Sequence, residues 1–253
     1  MNVLLTEQRH KIILNELEKN GIVKVNDLVD ILNTSESTIR RDLTCLEKMN
    51  AVRRIRGGAA VPRGRLIEQS YGEKEVQNVV QKRKIAEFAA SCVDDGDCIY
   101  IDAGTSTFEM IRYLKGREIV IVTNGLKHIN AVTENNINGY ILGGSIKNRT
   151  GAVIGADALG NLQKFRFDKC FMGMNGIHLE YGFTTPDSEE AALKTCVIKH
   201  SRQSYVLADE SKFGEVSFVK VADLKEADII TDCRVENYKE YAEKTRVKVV
   251  MDK

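Results

Sequence analysis

Two different spacings of apolar residues divide the chain. Between residues 6 and 49, apolar side chains such as Ile13, Leu14 and Leu17 recur at helical spacing and predict three short helices. Further along, short apolar runs alternate with helical segments, which predicts an α/β domain with a mostly parallel sheet. These runs are CIYID (98–102), IVIVT (119–123), GYILGG (139–144), KCFMGM (169–174), SYVLAD (204–209), DIITD (228–232) and VKVVM (247–251).

The third predicted helix, at about residues 36–49, separates an apolar stripe from a basic face. It follows a turn that ends in Ser35, a natural N-cap, and this arrangement is typical of a helix-turn-helix. At about 100° per residue, the side opposite the apolar stripe carries hydroxyls and cations with no acid near its centre. These residues are Ser37, Arg40, Arg41, Thr44 and Lys48. A face of one charge sign with short hydroxyls suits phosphates and base edges, so we expect it to contact DNA.

A basic hairpin is predicted directly after this helix. Its sequence, AVRRIRGGAAV (51–61), contains Arg53, Arg54 and Arg56 and then a Gly-Gly turn. A solvated basic hairpin would have the same composition. Beside a basic recognition helix, a wing that lies along the DNA backbone is the better interpretation.

Polar residues follow several predicted strands, at the sheet edge where α/β proteins bind ligands. Residues 102–107 offer hydroxyls and a helix start suited to an anion, although an ordinary helix cap explains them too. Lys212 offers a point charge for a phosphate. Glu190 and Lys194, at i and i+4, are by default a surface ion pair. The candidate ligand-binding residues are Asp102, Gly104, Thr105, Ser106, Thr107, Thr123, Asn124, Gly144, Asn175, Gly176, Thr184, Glu190, Lys194 and Lys212.

The net charge becomes informative once the chain is divided. The formal net charge of +1 argues against a nucleic-acid binder, but the first 65 residues carry 12 Lys/Arg against 8 Asp/Glu. The remaining residues carry 25 against 28, so the positive excess lies with the helix-turn-helix.

Several classes of protein are disfavoured by what the sequence lacks. No run approaches the ~20 apolar residues of a membrane span, and no signal-peptide pattern is present. The 6 cysteines and 4 histidines show no metal-ligand spacing. We therefore expect a cytoplasmic protein with buried, reduced thiols, no metal and no membrane partner. Neither glycine-rich nucleotide motif nor G-x-S-x-G is found, so we expect no cofactor and no catalytic residue.

The N-terminal motifs resemble a known family. SESTIRRDLTCLE followed by RRIRGGA resembles the winged helix-turn-helix of the DeoR family of bacterial sugar-operon regulators, over residues 5–61. The resemblance implies that the recognition helix enters the major groove of operator DNA and that the wing arginines touch phosphate. The implied DNA-binding residues are Ser37, Thr38, Arg40, Arg41, Thr44, Arg53, Arg54 and Arg56.

The rest of the chain resembles the DeoR-type sensor domain, which is similar in fold to ribose-5-phosphate isomerase. The motifs that carry this resemblance are DAGTST, VTNGL, LGGSIKNRTGAVIG, FDKCFMGMNGI, GFTTPDSEEAALK and LADESKFG. The expected fold class is therefore α/β, with a small N-terminal winged helix-turn-helix and a larger α/β sensor domain. The expected domains are the helix-turn-helix (1–61), a linker (62–75) and a sugar-phosphate sensor and oligomerisation domain (76–253).

Within the family, FDKCFMGMNGIHLEYGFTTPDSEEAALK and SKFGEVSFVKVADL look closest to repressors of fructose operons. This resemblance implies a homodimeric or homotetrameric repressor that fructose 1-phosphate releases from DNA. Three alternatives stay open: a regulator that responds to another sugar phosphate, an α/β half that serves only oligomerisation, and a sugar-phosphate isomerase with an accessory DNA-binding domain. The isomerase would use Glu190 as its base, with Asp168 nearby in sequence.

Overall fold

The computed structural model describes residues 5–49, 51–55, 57–61, 64–235 and 237–250. The chain divides into two compact units, Met1–Gly64 and Arg65–Lys253. Each unit has its own apolar core, and each is described separately below.

The smaller unit is a three-helix module with a small antiparallel sheet. Its elements are α1 (Thr6–Asn20), β1 (Ile22–Lys24), α2 (Val25–Leu32), α3 (Glu36–Lys48), β2 (Arg53–Ile55) and β3 (Gly58–Ala60), with strand order β1-β3-β2. The three predicted helices and the hairpin are therefore present. The apolar stripe of α3, formed by Ile39, Leu43 and Leu46, is buried in the core of this unit.

Two local features hold the module together. Asp42 on α3 is buried and accepts two hydrogen bonds from the Arg9 guanidinium of α1, at 2.7 and 3.0 Å. Gly58 begins β3 where β1 passes so closely that a Cβ atom would lie 2.0 Å from the carbonyl oxygen of Val23. Only glycine fits there, because the strand pairing brings the two backbones together.

The larger unit contains a seven-stranded parallel sheet in the order β15-β14-β12-β9-β4-β5-β6. These strands are β4 (Cys98–Ile101), β5 (Val120–Thr123), β6 (Asn138–Ile141), β9 (Phe167–Gly173), β12 (Ser201–Leu207), β14 (Asp228–Thr231) and β15 (Val247–Val249). Each corresponds to one of the seven apolar runs. The predicted α/β class with a mostly parallel sheet is confirmed.

Smaller sheets and helices surround the main sheet. The antiparallel strands are β7 (Ser145–Lys147), β8 (Ala152–Ile154), β10 (Gly176–His178), β11 (Gly182–Thr185) and β13 (Val219–Ala222). The helices are α4 (Tyr71–Glu75), α5 (Val79–Ser91), α6 (Thr105–Ile111), α7 (Leu126–Glu134), α8 (Ala156–Leu162), α9 (Ser188–Lys199) and α10 (Tyr238–Lys244). The apolar core of the unit forms two clusters of buried side chains.

The segment expected to be a linker is largely part of the larger unit. Residues 65–75 include α4, which begins at a capping box formed by Ser70 and Glu73. The carbonyl oxygen of Arg65 accepts a hydrogen bond from the Phe218 N–H at 3.2 Å, and the buried Glu68 contacts three basic side chains.

The cysteines differ in part from the expectation of buried thiols. None of the six forms a disulfide, and Cys170 is buried, but Cys45 and Cys98 are exposed. Helix α3 and strand β4 each turn these small side chains outward. In the part of the chain that the structure describes, no group of three His, Cys, Asp or Glu side chains is placed to hold a metal ion. Within the same residues, no helix has both the length and the apolar character needed to cross a membrane.

Candidate functional site

The N-terminal end of α3 presents a group of hydroxyls. The Ser35 hydroxyl accepts the Thr38 N–H at 3.2 Å and contacts the hydroxyls of Ser37 (3.0 Å) and Thr38 (2.8 Å). Ser37 is exposed and Thr38 is half-buried. The Ser35 hydroxyl therefore caps the helix, and the exposed Ser37 hydroxyl lies beside it at the surface of the unit.

The basic face of α3 has an acidic neighbour that the helical projection did not place near its centre. Arg40 forms an ion pair with Glu36, one turn earlier, at 2.6 Å. Both side chains are about half exposed, so the pair contributes only about 0.3–0.5 kcal/mol. Because the pair is weak, Arg40 can exchange Glu36 for a base or a phosphate at little cost. Arg41 and Thr44 are also exposed on this helix.

The wing arginines differ from one another. Arg54 Nη1 donates to the Thr44 hydroxyl (3.1 Å) and to the Arg40 carbonyl (3.3 Å), so its guanidinium braces the wing against α3. The Thr44 hydroxyl in turn donates to the Arg40 carbonyl at 2.8 Å. In this state both side chains therefore serve the structure of the module. Arg53 is half-buried on β2, and Arg56 lies outside the described residues.

A polar cavity opens in the larger unit at the carboxyl ends of four neighbouring strands, β12, β9, β4 and β5. Parallel strands bring the residues that follow them to one edge of the sheet, which explains why segments distant in sequence meet there. Nine of the predicted ligand-binding residues line the cavity: Asp102, Gly104, Thr105, Ser106, Asn124, Asn175, Glu190, Lys194 and Lys212.

Asp102 and Lys194 form a buried ion pair in this cavity. The Lys194 ammonium contacts Asp102 Oδ2 and also donates to the Gly173 carbonyl at 2.9 Å. Asp102 Oδ2 accepts the Gly173 N–H at 3.1 Å. The prediction of a surface pair between Glu190 and Lys194 is therefore wrong. Helix α9 directs both side chains into the cavity, where each finds a different partner.

Glu190 belongs to a second charged group, centred on Lys147. The Lys147 ammonium lies 3.1 Å from Glu190 Oε1, 2.6 Å from Glu68 Oε2 and 2.9 Å from Asp187 Oδ2. Burial acts to lower the pKa of Lys147, but the three carboxylates outweigh burial and raise it. The Thr150 hydroxyl also donates to Glu190, at 3.2 Å. This lysine is thus held charged among three acids.

The opposite situation holds at Lys82, on α5. This residue is 5% exposed, and its ammonium donates to the Lys74 carbonyl. The pKa of Lys82 is lowered to about 8, chiefly by burial; Lys212 and Lys74 act in the same direction, and Asp209 and Glu109 partly oppose them. All three lysines line the cavity. A buried ammonium with two half-buried lysines near enough to repel it is a site that an anion would stabilise.

Amides and hydroxyls complete the lining. Asn124 Oδ1 accepts the Ala103 N–H at 3.0 Å, and Asn175 Oδ1 accepts the Thr185 hydroxyl at 3.1 Å. The Asn124 NH₂ donates in turn to the Val153 carbonyl at 3.2 Å, whereas the bond to Thr185 orients the Asn175 NH₂ as a donor, and Thr105 and Ser106 add hydroxyls. The lining can therefore bind both a charged group and several hydroxyls of one small molecule.

Three of the predicted threonines support the backbone instead of lining the cavity. The Thr107 hydroxyl accepts the Gly104 N–H at 3.1 Å and donates to the Asp102 carbonyl at 2.6 Å, so Thr107 caps α6, a role the sequence would assign to Thr105 or Ser106. The hydroxyls of Thr123 and Thr184 accept backbone N–H groups at 3.1 and 2.9 Å. These side chains shape the strand ends and do not line the cavity.

Two predicted glycines also serve packing. A Cβ atom on Gly144 would lie 2.6 Å from the Ile154 carbonyl oxygen, and one on Gly176 would lie 2.4 Å from that of Glu215. Each glycine therefore allows two backbone segments to meet, and neither lines the cavity.

Lys82, Lys74 and Glu68 line the cavity without having been predicted. For Lys82 a signal existed: it lies at helical spacing with the buried Ile85, Ala86 and Ala89, so a lysine occupies the apolar stripe of α5. Glu68 lies in an irregular segment, where no periodic pattern could have indicated its burial.

Asp168, considered as a partner for Glu190 in catalysis, lies elsewhere. It is the second residue of β9, whereas the cavity is at the end of that strand. Its carboxylate accepts the Cys98 N–H and the Arg202 guanidinium, both at 3.0 Å. Asp168 therefore belongs to the opposite edge of the sheet, some 16 Å away at about 3.3 Å per residue.

The two units together define a class of protein: a winged helix-turn-helix joined to an α/β unit with a polar ligand cavity. Family comparisons agree with this description. Residues 9–64 match the DeoR-like helix-turn-helix domain, and residues 77–233 match the DeoR C-terminal sensor domain. The chain belongs to the DeoR family of DNA-binding transcriptional regulators.

Individual relatives support the same assignment. The chain is 49% identical over 249 residues to an uncharacterized HTH-type transcriptional regulator, FruR, of Bacillus subtilis (strain 168), covering 98% of this chain and 99% of the relative. It is 32% identical over 232 residues to the HTH-type transcriptional repressor GlcR of the same organism, covering 91% and 90%. Ribose 5-phosphate isomerase A of Methanocaldococcus jannaschii aligns at 17% identity with a TM-score of 0.41, over 54% of this chain and 55% of that one.

Proposed function

We propose that this protein represses a fructose-utilisation operon and is released from its operator when fructose 1-phosphate binds the cavity. The cavity chemistry supports the ligand class, and the 49% identity to a regulator named FruR supports the choice of sugar. The name repressor is carried by other relatives, among them GlcR.

The observation that carries the proposal is the composition of the cavity. Lys74, Lys82 and Lys212 together provide a positive site suited to a phosphate. Asp102, Glu190, Asn124 and Asn175 provide acceptors and donors suited to sugar hydroxyls. A sugar phosphate combines these two requirements in one small molecule.

The same carboxylates favour binding over turnover. Asp102 is engaged by Lys194, and Glu190 by Lys147 and Thr150, whereas aldose–ketose isomerisation requires a carboxylate free to carry a proton. We infer a regulator without isomerase activity. Incubation with aldose and ketose phosphates tests this directly: turnover that is lost in Glu190→Gln would establish the isomerase instead.

Regulation requires more than one copy of the chain. A helix-turn-helix protein reads repeated half-sites through paired recognition helices, so we propose a homodimer or homotetramer. The exposed Tyr140 and Ile141 on the edge strand β6 provide an apolar edge that a second copy could cover. The effector can shift DNA affinity only as far as it binds the free state more tightly than the DNA-bound state.

Titration of the protein–operator complex tests the proposal. Fructose 1-phosphate should release the DNA at lower concentration than fructose 6-phosphate, and inorganic phosphate should act least. Lys212→Ala and Thr105→Ala should leave operator affinity intact and abolish release. Lys220→Ala is the matched control, because Lys220 forms only an exposed pair with Asp223. Operator binding that no sugar phosphate alters would leave oligomerisation as the role of the α/β unit.

A further inference from the structure

Glu68 contradicts the usual relation between side-chain type and burial. It lies in the irregular segment 64–70, whose neighbouring residues Leu66 and Ile67 are 67% and 59% exposed, while its own side chain is only 5% exposed. A buried carboxylate beside two exposed apolar residues is costly unless cations compensate it. The acid is thus what anchors this segment to the larger unit.

Three basic side chains hold Glu68. Its carboxylate oxygens lie 2.6 Å from Lys147 Nζ and 3.3 Å from Lys74 Nζ, and its backbone carbonyl accepts a hydrogen bond from the Arg149 guanidinium. Lys147 is also shared with Glu190 and Asp187. Lys147 is therefore surrounded by three carboxylates. In the contacts between described residues, Glu68 is the one acid that pairs with Lys74.

Lys74 also belongs to the group of lysines proposed above to receive the phosphate. It lies close enough to Lys82 to lower the pKa of that side chain, and both line the cavity with Glu68. A phosphate bound there takes Lys74 as a partner and places negative charge beside the Glu68 carboxylate. Ligand and Glu68 consequently compete for one cation.

Of the acids around this cation cluster, Glu68 is the one that can move. Glu190 lies within α9, and Asp187 caps the same helix by accepting two backbone N–H groups at 2.9 and 3.0 Å. Glu68 is held in an irregular segment by its ion pairs and a few backbone hydrogen bonds. Repulsion from a bound phosphate would therefore displace Glu68 first.

We propose that Glu68 is the coupling residue: the effector's phosphate displaces its carboxylate from Lys74 and releases the segment 64–70 from the larger unit. Four residues before Glu68 in the chain, at Gly64, the DNA-binding unit ends. Release of the anchor changes the tether of that unit, and thereby the half-site spacing that a pair of recognition helices can reach. This inference rests on the proposed function, because it requires an anionic effector in the cavity.

Glu68→Gln provides the test, because it preserves the shape of the side chain and removes its charge. We expect this variant to bind fructose 1-phosphate about tenfold more tightly than the wild type and to bind operator DNA more weakly without ligand. Glu75→Gln is the matched control, since Glu75 forms an exposed pair with Lys127 and should change neither value. Weaker sugar-phosphate binding by Glu68→Gln would instead make Glu68 a direct acceptor for a sugar hydroxyl and overturn the proposal.

Trypsin cleavage after Arg65 gives a second readout, and its decisive comparison uses the wild type alone, with and without ligand. The wild type should be cut faster at this bond in the presence of fructose 1-phosphate, and Glu68→Gln should be cut fast with or without it. If the wild type binds the ligand and releases DNA but its cleavage rate is unchanged, the coupling role fails and the proposed function stands. If no sugar phosphate binds the wild type, the proposed function itself fails, and the inference with it.

Discussion

Lys82 offers a sharp test of the phosphate site, because its charge is unfavourable in the ligand-free protein. The ammonium is buried on α5 near Lys74 and Lys212, and burial lowers its pKa from 10.5 to about 8. Replacing Lys82 with Met retains a long flexible chain and removes the charge. We expect the variant to be more stable than the wild type at pH 7 and unable to bind a sugar phosphate tightly.

The magnitude follows from the two pKa values. At about 1.4 kcal/mol per tenfold change, the difference between 10.5 and about 8 corresponds to at most ~3.5 kcal/mol of destabilisation at neutral pH. Solvent in the open cavity reduces this cost, and the variant also loses the hydrogen bond to the Lys74 carbonyl, which contributes about 1 kcal/mol. A net gain of about 1 kcal/mol in the free energy of unfolding remains for Lys82→Met.

The direction in which stability changes with pH also follows from this pKa shift. Between about pH 8 and 10.5 the unfolded chain holds a proton on Lys82 that the native protein has lost. The stability of the wild type therefore rises with pH through this window relative to that of the variant. Sugar-phosphate affinity changes the other way. It should fall about tenfold or more between pH 7 and 9.5, because the neutral amine no longer attracts the phosphate.

Urea unfolding of both proteins at pH 7 and 10, with calorimetric titration of fructose 1-phosphate, provides the measurements. Lys220→Met serves as the control for loss of an exposed lysine. A Lys82→Met protein that is several kcal/mol less stable at pH 7, or that binds the ligand as the wild type does, would refute the assignment of Lys82 to a phosphate site.

Three other predictions concern the two units. Arg40→Ala should cost about 1–3 kcal/mol of binding free energy on the specific operator and relax sequence preference. Arg53→Ala should weaken binding to all DNA sequences alike and reduce the salt slope of DNA binding by about one. If both variants behave alike in salt titrations, Arg40 does not read bases. Lys194→Met should destabilise the protein by about 3–5 kcal/mol in thermal unfolding, because it leaves the buried Asp102 carboxylate unpaired. Adding Asp102→Asn should recover much of this loss, and a double variant without recovery would contradict this explanation. Gly58→Ala should abolish operator binding and leave sugar-phosphate binding unchanged, and a normal affinity for DNA would show that β1 and β3 tolerate the extra carbon.

The sheet and the recognition helix were readable from local pattern. All seven apolar runs are strands of one sheet. The inner strands are apolar because both of their faces are covered, whereas β6, at the edge, is apolar although it is exposed along its length. The stripe of α3 is likewise buried as predicted, because a helix with one apolar face has one way to bury it.

The ion pairs were not readable in this way. The i, i+4 rule paired Glu190 with Lys194, but α9 lies beside strand ends that supply stronger partners, Lys147 and Asp102. The same rule applied to the exposed part of α3 would have found Glu36 beside Arg40, where the described part of the chain supplies no competing ion pair. Local spacing therefore predicts a pair on an exposed surface and fails in a cavity.

By itself, the sequence determined the two units, the parallel sheet, the family and most of the strand ends that line the cavity. Periodicity and post-strand position are properties of a single segment, so they can be recognised without knowing which other segments pack against it. Only the tertiary structure decided that Lys82 and Glu68 join the cavity, that Thr107 caps a helix and that Asp168 lies at the far edge of the sheet. Those outcomes depend on which distant segments meet, and the electrostatic energy of a buried charge is set by neighbours that no local pattern contains.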